Sequence, residues 1–392
     1  MPDYTYLIVG GGMTADAAAQ AIHEADPKGS IGLIGAEPHP PYDRPPLSKA
    51  LWKGEPEDKI WRKTAATGAT LHLGRRVTAV DPRGRKVTDD RGTVYRYQKL
   101  LLATGGAPRH LPFASDQIIY FRTLDDYRRL RALAGQRVRF AVIGGGFIGS
   151  EVAAALRMQG RDVTMLVPES GLGARVFPPA LSAFLVEYYR EKGVTMRMGE
   201  GMAGLGRHAG SVAVQTTTGA EFVAEVVVAG LGIAPAVELA EQAGLRVENG
   251  VVVDETCRTS HPDIYAAGDV ANFENPALRA RLRVEHEDNA NTMGRIAGLN
   301  MAGQATPYHH LPFFYSDLFD LGYEAVGDLD SRLESVAEWK TEFREGVVYY
   351  LKDGRVRGVL LWNTWGQVDH ARALIAEPGP FKPGDLKGRL PR

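Results

Sequence analysis

VIGGGFIGSE, residues 142–151, is the stretch that decides the fold of this 392-residue chain. An apolar run leads into it, Gly144-x-Gly146-x-x-Gly149 turns the chain, and a helical pattern follows. The three glycines suit a tight turn, close approach of a pyrophosphate to the backbone, and close packing of helix on strand. The phosphate would then lie at the helix N-terminus, where free N–H groups and the helix dipole favour an anion.

The same strand–turn–helix unit occurs earlier in the chain. YTYLIV, residues 4–9, ends at Gly10-x-Gly12, with Ala15 in the third position of the motif, and an alanine-rich helical pattern follows. The two turns begin at Gly10 and Gly144, 134 residues apart. A spacing that long indicates two domains rather than a solenoid.

Each unit also has an acidic residue at the end of its second strand, Glu37 in the first and Glu169 in the second. Such a residue accepts a hydrogen bond from an adenosine ribose hydroxyl. Two dinucleotide sites suggest FAD in the N-terminal unit and a nicotinamide in the other. Glu169 favours NADH, because a carboxylate repels a 2′-phosphate, but Arg175 nearby could accept that phosphate, so NADPH stays possible.

Composition excludes several classes of function. The net charge is −1, so no overall attraction to nucleic acid or to a membrane follows. The single cysteine, Cys257, excludes an internal disulfide and an internal redox dithiol. We find no signal-peptide pattern and no apolar run of about 18 residues, which predicts a soluble, cytoplasmic protein. No metal site is predicted.

Outside the two units the pattern is mixed. Short strands fill residues 70–103 and 194–231, and aromatic and β-branched runs in 311–375 predict an α+β section with a hairpin at Asp353-Gly354. Residues 376–392 are rich in Pro, Gly, Lys and Arg, which predicts a mobile tail.

Several motifs together resemble those of the FAD-dependent pyridine nucleotide oxidoreductases. The two glycine turns occur with LLLATGG and IYAAGD, and PYDRPPLSKALW, RVEHEDNA and SDLFDLGYEAVGDLD are most similar to apoptosis-inducing factor-like flavoproteins and to ferredoxin reductases of the putidaredoxin reductase type. The similarity covers about residues 4–370. It implies a glutathione reductase-like α/β fold with two Rossmann-like domains and a C-terminal α+β domain. The implied boundaries are 1–117 and 236–310 for the FAD-binding domain, 118–235 for the NAD(H)-binding domain, and 311–392 for the C-terminal interface domain with its mobile tail.

The resemblance also implies which residues contact the cofactors. Arg44 lies near the FAD pyrophosphate, Lys49 lies near the flavin ring, and Asp269 accepts a hydrogen bond from the ribitol. The helix after His286 points its positive end at the flavin pyrimidine. The remaining implied cofactor-binding residues are Ala103, Thr104, Gly105, Arg122, Gly232, Gly268 and Glu285.

For catalysis, the resemblance implies that Glu151 pairs with Lys49 and approaches the nicotinamide. Phe147 is implied as a gate beside the nicotinamide, and His286 as part of the helix end that faces the flavin. Tyr315 stands where relatives often have a tryptophan over the flavin or nicotinamide face. For Glu151, an ordinary first-turn glutamate favoured by the helix dipole is the alternative, and for Phe147 it is a core aromatic.

The electron acceptor is less defined by sequence. Because no dithiol is available, electrons must leave directly from the flavin, which suits a ferredoxin, a rubredoxin-type protein or a quinone. Arg279, Arg281 and Arg283 form either a docking patch for an acidic ferredoxin or a solvated basic loop. The alternative function is an apoptosis-inducing factor-like redox-responsive flavoprotein, in which NADH controls dimerisation or partner binding. A homodimer is possible.

Overall fold

The computed structural model describes residues 1–113, 115–208 and 210–390. The α-helices are α1 (Met13–Ala25), α2 (Leu124–Ala134), α3 (Phe147–Met158), α4 (Pro179–Glu191), α5 (Glu238–Gln242), α6 (Glu287–Met301) and α7 (Val368–Ala376). The strands are β1 (Asp3–Val9), β2 (Ile31–Gly35), β3 (Thr70–Leu73), β4 (Val77–Asp81), β5 (Lys86–Asp89), β6 (Val94–Leu102), β7 (Gly106–Pro108), β8 (Ile118–Tyr120), β9 (Arg139–Ile143), β10 (Asp162–Val167), β11 (Thr195–Met198), β12 (Met202–His208), β13 (Ser211–Thr216), β14 (Glu221–Ala224), β15 (Val226–Ala229), β16 (Ile233–Pro235), β17 (Val251–Val252), β18 (Ile264–Ala266), β19 (Ala271–Asn275), β20 (Ala280–Leu282), β21 (Phe313–Leu318), β22 (Leu321–Gly327), β23 (Glu334–Thr341), β24 (Glu345–Lys352) and β25 (Arg355–Trp362).

The chain divides into two compact units, each built from three segments. Unit 1 consists of Met1–Arg44, Pro56–Ala107 and Ala234–Phe313. Unit 2 consists of Pro45–Glu55, Pro108–Ile233 and Phe314–Arg392. Unit 2 therefore contains the second glycine turn and the α+β section that the sequence predicts. The division into three domains remains a prediction.

Unit 1 is built on a sheet with the strand order β3-β2-β1-β6-β5-β4, and β18 pairs with β6. Strands β1, β2, β3, β6 and β18 pair in parallel. Leu7 and Ile8 of β1 are both fully buried, as expected for an apolar strand that is covered on both faces. The first glycine turn follows directly at the carboxyl end of β1.

Helices α1 and α6 of unit 1 pack in parallel at very close range. A Cβ on Gly294 would lie 2.5 Å from the carbonyl oxygen of Thr14, and one on Gly298 would lie 2.5 Å from that of Ala18. Only glycine allows this approach of two backbones. Because residue numbers rise together along both helices, their N-termini point the same way. The N-terminus of α6 therefore extends about six residues, or roughly 9 Å, past the N-terminus of α1.

Unit 2 contains a parallel sheet, order β11-β10-β9-β15-β8, and an antiparallel β12-β13-β14 sheet. A further five-stranded sheet, order β21-β22-β25-β24-β23, has α7 packed on it. The predicted hairpin is present, because Asp353 and Gly354 both have positive φ between β24 and β25. The α/β fold class is confirmed.

After residue 376 the chain makes some contacts with the rest of unit 2, and Leu386 and Leu390 are buried. Most other residues of 377–390 are exposed or half-buried, residues 391 and 392 lie outside the described residues, and the mobility of the tail stays a prediction. The amide of Phe381 donates to the carbonyl of Gly354, and the amide of Gly388 donates to the Glu338 carboxylate at 3.0 Å.

Asp89, at the end of β5, is a buried acceptor in unit 1. Its carboxylate accepts the amides of Arg91 (2.9 Å) and Thr93 (2.8 Å), the hydroxyl of Tyr95 (2.9 Å) and Nη1 of Arg75 (3.1 Å). Burial alone would raise the pKa of Asp89, but these donors hold that pKa below its ordinary value. The carboxylate therefore stabilises the turn only while it is ionised.

Asp89→Asn is expected to lower the free energy of unfolding at neutral pH by about 1.5–3 kcal/mol, as hydrogen bonds to a charged group do. A depressed folded-state pKa gives stability that is present above the unfolded value of about 3.9 and is lost as pH falls through the folded pKa. The deficit should therefore shrink as the pH falls below the unfolded value of about 3.9. Urea unfolding across this range measures it, with the exposed neighbour Asp90→Asn as control. A deficit that does not change with pH would refute the assignment.

Candidate functional site

The first glycine turn is shaped by its backbone. Gly10 has φ 138°, and a Cβ there would lie 2.1 Å from the carbonyl oxygen of Ala103. In contrast, nothing lies within 4 Å of where a Cβ on Gly12 would be. Ala15 is fully buried in the first turn of α1. The turn is therefore closed on its sheet side and open at Gly12, as approach of a pyrophosphate to the start of α1 requires.

Glu37, the predicted ribose acid of unit 1, lies in a small polar cluster. The hydroxyl of Tyr42 donates to Glu37 Oε2 at 2.6 Å, and Nη2 of Arg44 donates to Oε1 at 2.5 Å. Burial lowers the pKa of the Arg44 guanidinium, but Tyr42, Glu37 and Asp269 together raise it above its ordinary value. Arg44 thus remains a cation close to two acids of the predicted FAD site.

The turn after β6 is held by backbone contacts at the carboxyl end of β1. The amide of Ala103 donates to the carbonyl of Val9 at 2.8 Å, and Oγ1 of Thr104 donates to the carbonyl of Ala236 at 2.8 Å. The carbonyl of Gly105 accepts the amide of Ala236 at 3.0 Å. LLLATGG therefore forms a fixed loop beside the first glycine turn.

The IYAAGD and RVEHEDNA motifs meet through one arginine. Nη1 of Arg283 lies 2.6 Å from the Glu285 carboxylate and donates to the carbonyl of Asp269 at 3.2 Å. Gly268 and Asp269 form a 3-10 turn, and His286 is the extended residue that precedes α6. These residues tie the Gly268–Val270 turn to the start of α6.

The second glycine turn repeats the design of the first. Gly144 has φ 103°, and a Cβ there would lie 2.5 Å from the carbonyl oxygen of Gly230. A Cβ on Gly149 would lie 2.1 Å from the carbonyl oxygen of Gly144, whereas the position of a Cβ on Gly146 is open. Unit 2 therefore also has a turn that is closed toward its sheet and open at the middle glycine.

Glu169 lies at the end of β10 and is paired with Arg175. Nη2 of Arg175 donates to Glu169 Oε1 at 2.7 Å, and the Arg175 side chain is 86% exposed. The carbonyl of Arg175 accepts the amide of Ser331, which anchors its backbone. The carboxylate and the guanidinium thus lie together where the sequence places the nicotinamide cofactor's adenosine ribose.

A buried polar cluster in unit 2 is centred on Glu151. Nζ of Lys49 lies 2.8 Å from Oε1 of Glu151. The hydroxyl of Ser48 donates to Oε2, and that of Ser316 donates to Oε1, both at 2.5 Å. The predicted Lys49–Glu151 pair therefore forms, and it includes two serines that the sequence did not single out.

Aromatic side chains border this cluster. The ammonium of Lys49 lies 5.3 Å from the centroid of the Tyr315 ring, within range of a cation–π contact. The ring of Phe147 packs against Phe314 with 5.3 Å between centroids. Tyr315 therefore contacts the predicted flavin-facing lysine, and Phe147 contacts the neighbour of Tyr315 in β21.

The predicted site residues are divided between the two units. Lys49 and Arg122, which the resemblance assigns to the FAD, both belong to unit 2. Arg122 precedes α2, where its amide donates to the Asp126 carboxylate at 3.1 Å. Gly232 has positive φ, and its carbonyl accepts the amide of Arg109.

The three arginines of the predicted docking patch differ in burial, since Arg279 and Arg281 are exposed residues and the Arg283 side chain is 10% exposed. Arg281 donates to the carbonyl of Val253 (2.8 Å) and to both the carbonyl and the side-chain oxygen of Asn272. Arg283 is held by Glu285 and by a backbone carbonyl, as described above. Arg279 is exposed and has φ 48°. Charge reversal at all three would disturb packing as well as surface charge.

Sequence reasoning missed Tyr42, Ser48 and Ser316. Each is an ordinary residue in its local pattern, and each donates to a carboxylate that the sequence did identify. The available signal for the two serines was their position next to predicted site residues, because Ser48 precedes Lys49 and Ser316 follows Tyr315. In the described parts of the chain, no group of three or more His, Cys, Asp or Glu could hold a metal ion, and no helix is long and apolar enough to cross a membrane.

Two open glycine turns, each at the start of a helix and followed by an acid, define an α/β protein built for two dinucleotides. The chain belongs to the pyridine nucleotide-disulphide oxidoreductase family, whose model matches residues 4–294. A second model, the mitochondrion-associated C-terminal region of apoptosis-inducing factor, matches 297–342 and 337–377. The resemblance seen in the motifs and the FAD and nicotinamide cofactor pair are confirmed.

Individual relatives agree with the family. The chain is 37% identical over 380 residues to the ferredoxin–NAD(+) reductase component of the anthranilate 1,2-dioxygenase system of Burkholderia cepacia, covering 95% of this chain and 94% of that protein. It is 34% identical over 417 residues to apoptosis-inducing factor 1 of Dictyostelium discoideum, covering 95% and 78%. A covalent putidaredoxin reductase–putidaredoxin complex matches with TM-score 0.91 and 32% identity, covering 98% and 96%.

Proposed function

We propose that the chain is an NADH-dependent FAD oxidoreductase that passes electrons to a ferredoxin-type protein. The observation that carries the proposal is the pair of open glycine turns together with the buried Lys49–Glu151 pair in unit 2. The relative from Burkholderia cepacia is itself a ferredoxin–NAD(+) reductase, and the solved neighbour is a reductase joined to putidaredoxin. These relatives favour a ferredoxin-type acceptor over a rubredoxin or a quinone.

Unit 1 would hold the FAD. The open backbone at Gly12 and the N-terminus of α1 suit the pyrophosphate, and Glu37 suits the adenosine ribose. Asp269 and the N-terminus of α6 suit the ribitol and the flavin. Because α1 and α6 are parallel and staggered by roughly 9 Å, the positive N-terminal end of α6 extends that much further than the positive end of α1. Bound FAD supplies the capacity to take a hydride and to release its electrons singly.

Unit 2 would bind the nicotinamide cofactor, and it also contains the buried Lys49–Glu151 pair. Gly146 and the start of α3 suit the pyrophosphate, and Glu169 suits the ribose. The Lys49 ammonium, 2.8 Å from the Glu151 carboxylate, would stabilise negative charge that develops on a neighbouring ring. The roles of individual residues and the three-domain boundaries belong to this proposal.

No thiol pair carries electrons to the acceptor. The chain has one cysteine, Cys257, which is fully buried, and burial raises the pKa of its thiol. A buried, protonated thiol without a partner does not exchange disulfides. The electron path to an acceptor therefore starts at the flavin.

The proposal is tested by titrating the FAD-loaded protein with NADH without oxygen and then adding a two-iron ferredoxin, a rubredoxin or a quinone. Stoichiometric bleaching of the flavin band, followed by rapid recovery with the ferredoxin, is the expected result. A flavin that NADH cannot bleach would refute the enzyme assignment. Recovery with the quinone alone would refute the ferredoxin assignment.

Glu169→Ala is expected to lower kcat/KM for NADH by about tenfold, because one charge-assisted hydrogen bond to the ribose is lost. The same change frees Arg175 to meet a 2′-phosphate, so the ratio of NADPH to NADH use should rise by more than tenfold. Steady-state kinetics with both cofactors measures the ratio. Glu221→Ala, an exposed acid on β14, is the control. An unchanged ratio in Glu169→Ala would sink the assignment of this residue.

The alternative function, a redox-responsive flavoprotein like apoptosis-inducing factor, has less support. It is favoured by the match to the C-terminal model and by the Dictyostelium discoideum relative. Slow recovery of the flavin with every acceptor, together with a change in oligomer mass on reduction, would favour it over the reductase. A homodimer and a cytoplasmic location remain predictions of this proposal.

A further inference from the structure

The carboxylate of Glu151 joins three separate segments of unit 2. Glu151 lies on α3, Ser48 ends the 3-10 turn Pro45–Ser48, and Ser316 lies on β21. The three residues are 3%, 5% and 1% exposed, respectively, and the Lys49 side chain is 12% exposed. This carboxylate is therefore almost fully removed from water.

Burial of a carboxylate without hydrogen-bond donors is costly, because the group loses its contacts with water. Glu151 instead receives three donors, Ser316 and Lys49 on Oε1 and Ser48 on Oε2. Hydroxyl-to-carboxylate bonds of about 2.5–2.7 Å are among the strong hydrogen bonds of proteins. Each serine hydroxyl has one proton to donate, and both protons are directed at Glu151.

We infer that Ser48 and Ser316 are positioning residues that fix the Glu151 carboxylate and thereby hold the Lys49 ammonium in place. The inference rests on the proposed function for the role of Lys49 beside the flavin. The ion pair alone does not fix the carboxylate, because one ammonium satisfies only part of the acceptor capacity of a buried carboxylate.

The arrangement of neighbours supports this inference. Ser48 precedes Lys49 and Ser316 follows Tyr315 in the sequence, and both serines donate to Glu151. The Lys49 ammonium in turn lies 5.3 Å from the centroid of the Tyr315 ring. The backbone therefore joins each serine that contacts Glu151 directly to one partner of the Lys49–Tyr315 contact. Loss of either serine loosens the carboxylate and the ammonium together.

The other titratable groups around Glu151 do not compete with it near neutral pH. Burial, with the charge of Glu151 adding to it, raises the pKa of Tyr189 on α4 and of Tyr323 on β22 well above the ordinary value. Both phenols therefore stay neutral. On β21, Asp317 is paired with Lys53 at 2.6 Å. The Lys49–Glu151 pair is therefore the charged group that the two serines contact.

The test compares the effect of the serines with and without Lys49 in the full FAD-loaded protein. Ser48→Ala/Ser316→Ala should slow flavin bleaching at saturating NADH by about tenfold, because the ammonium is no longer held where charge develops. In the Lys49→Met background the same two changes should have no further effect on the rate, because no ammonium is left to position. Each single variant should show a smaller slowing than the double variant.

Ser316→Thr keeps a hydroxyl and should bleach at the wild-type rate, whereas removal of an exposed serine on β23 in Ser335→Ala should not change the rate. Urea unfolding is the second readout, and the double variant should lose less stability in a Glu151→Gln background than in the wild type, because the serines act on the Glu151 carboxylate. Serine effects of equal size in both backgrounds, on rate and on stability, would overturn the inference. A wild-type protein that NADH cannot bleach would refute the proposed function instead, and urea unfolding would still show whether the serines hold Glu151.

Discussion

Gly10→Ala is expected to give a protein that binds FAD about 5- to 150-fold more weakly than the wild type. The added Cβ would lie 2.1 Å from the carbonyl oxygen of Ala103, at a residue with φ 138°. Neither backbone can yield without moving the turn after β6, and strain of this kind costs about 1–3 kcal/mol. The fluorescence of released flavin after desalting measures the FAD content. Full retention of FAD would contradict this reading of the turn.

Gly12→Ala separates the effect on the ligand from the effect on the fold. Nothing lies within 4 Å of its added Cβ, so the urea midpoint of the apoprotein should stay at the wild-type value. The same methyl would fill the space where a pyrophosphate approaches, so FAD affinity should still fall. Gly146→Ala is the matched variant in unit 2, where FAD content should be kept and KM for NADH should rise. Wild-type FAD affinity in Gly12→Ala would mean that no phosphate lies at this turn.

The glycine turns could be predicted from sequence because their chemistry is local. A positive φ at Gly10 or Gly144, a helix that starts within a few residues, and an acid at the end of the next strand are all encoded within one strand–helix–strand unit. The acids Glu37 and Glu169 were found for the same reason. Each lies where the strand pattern stops, which does not depend on the rest of the fold.

The serines could not be predicted in this way. Ser48 and Ser316 are 103 and 165 residues from Glu151 in sequence, and no local pattern marks either as its partner. The contacts of the arginines are a similar case. Arg281 and Arg283 are close in sequence, and their side chains donate to carbonyl oxygens of other segments that no local pattern marks, while the docking patch stays a prediction. Contacts of this kind become visible only when the tertiary structure brings the segments together.

Glu151→Ala is expected to have the largest combined effect on stability and activity. It leaves the ammonium of Lys49, 12% exposed, without its carboxylate and leaves the hydroxyls of Ser48 and Ser316 without their acceptor. Removal of one partner of a buried ion pair costs about 3–5 kcal/mol of stability. Loss of preorganised charge beside the reacting rings should slow flavin bleaching by NADH by about 10²–10³-fold.

The Lys49→Met/Glu151→Gln variant tells the structural role of the pair from its chemical role. It removes both charges and keeps an oxygen acceptor for the serines, so most of the lost stability should return, because a neutral replacement of a buried pair is tolerated. The rate of bleaching in stopped flow should remain low, because the ammonium is absent. If rate and stability return together, the pair only supports the fold. If the rate stays low while the urea midpoint recovers, the charge of Lys49 acts on the chemistry itself, and Glu151 serves to keep that charge in place.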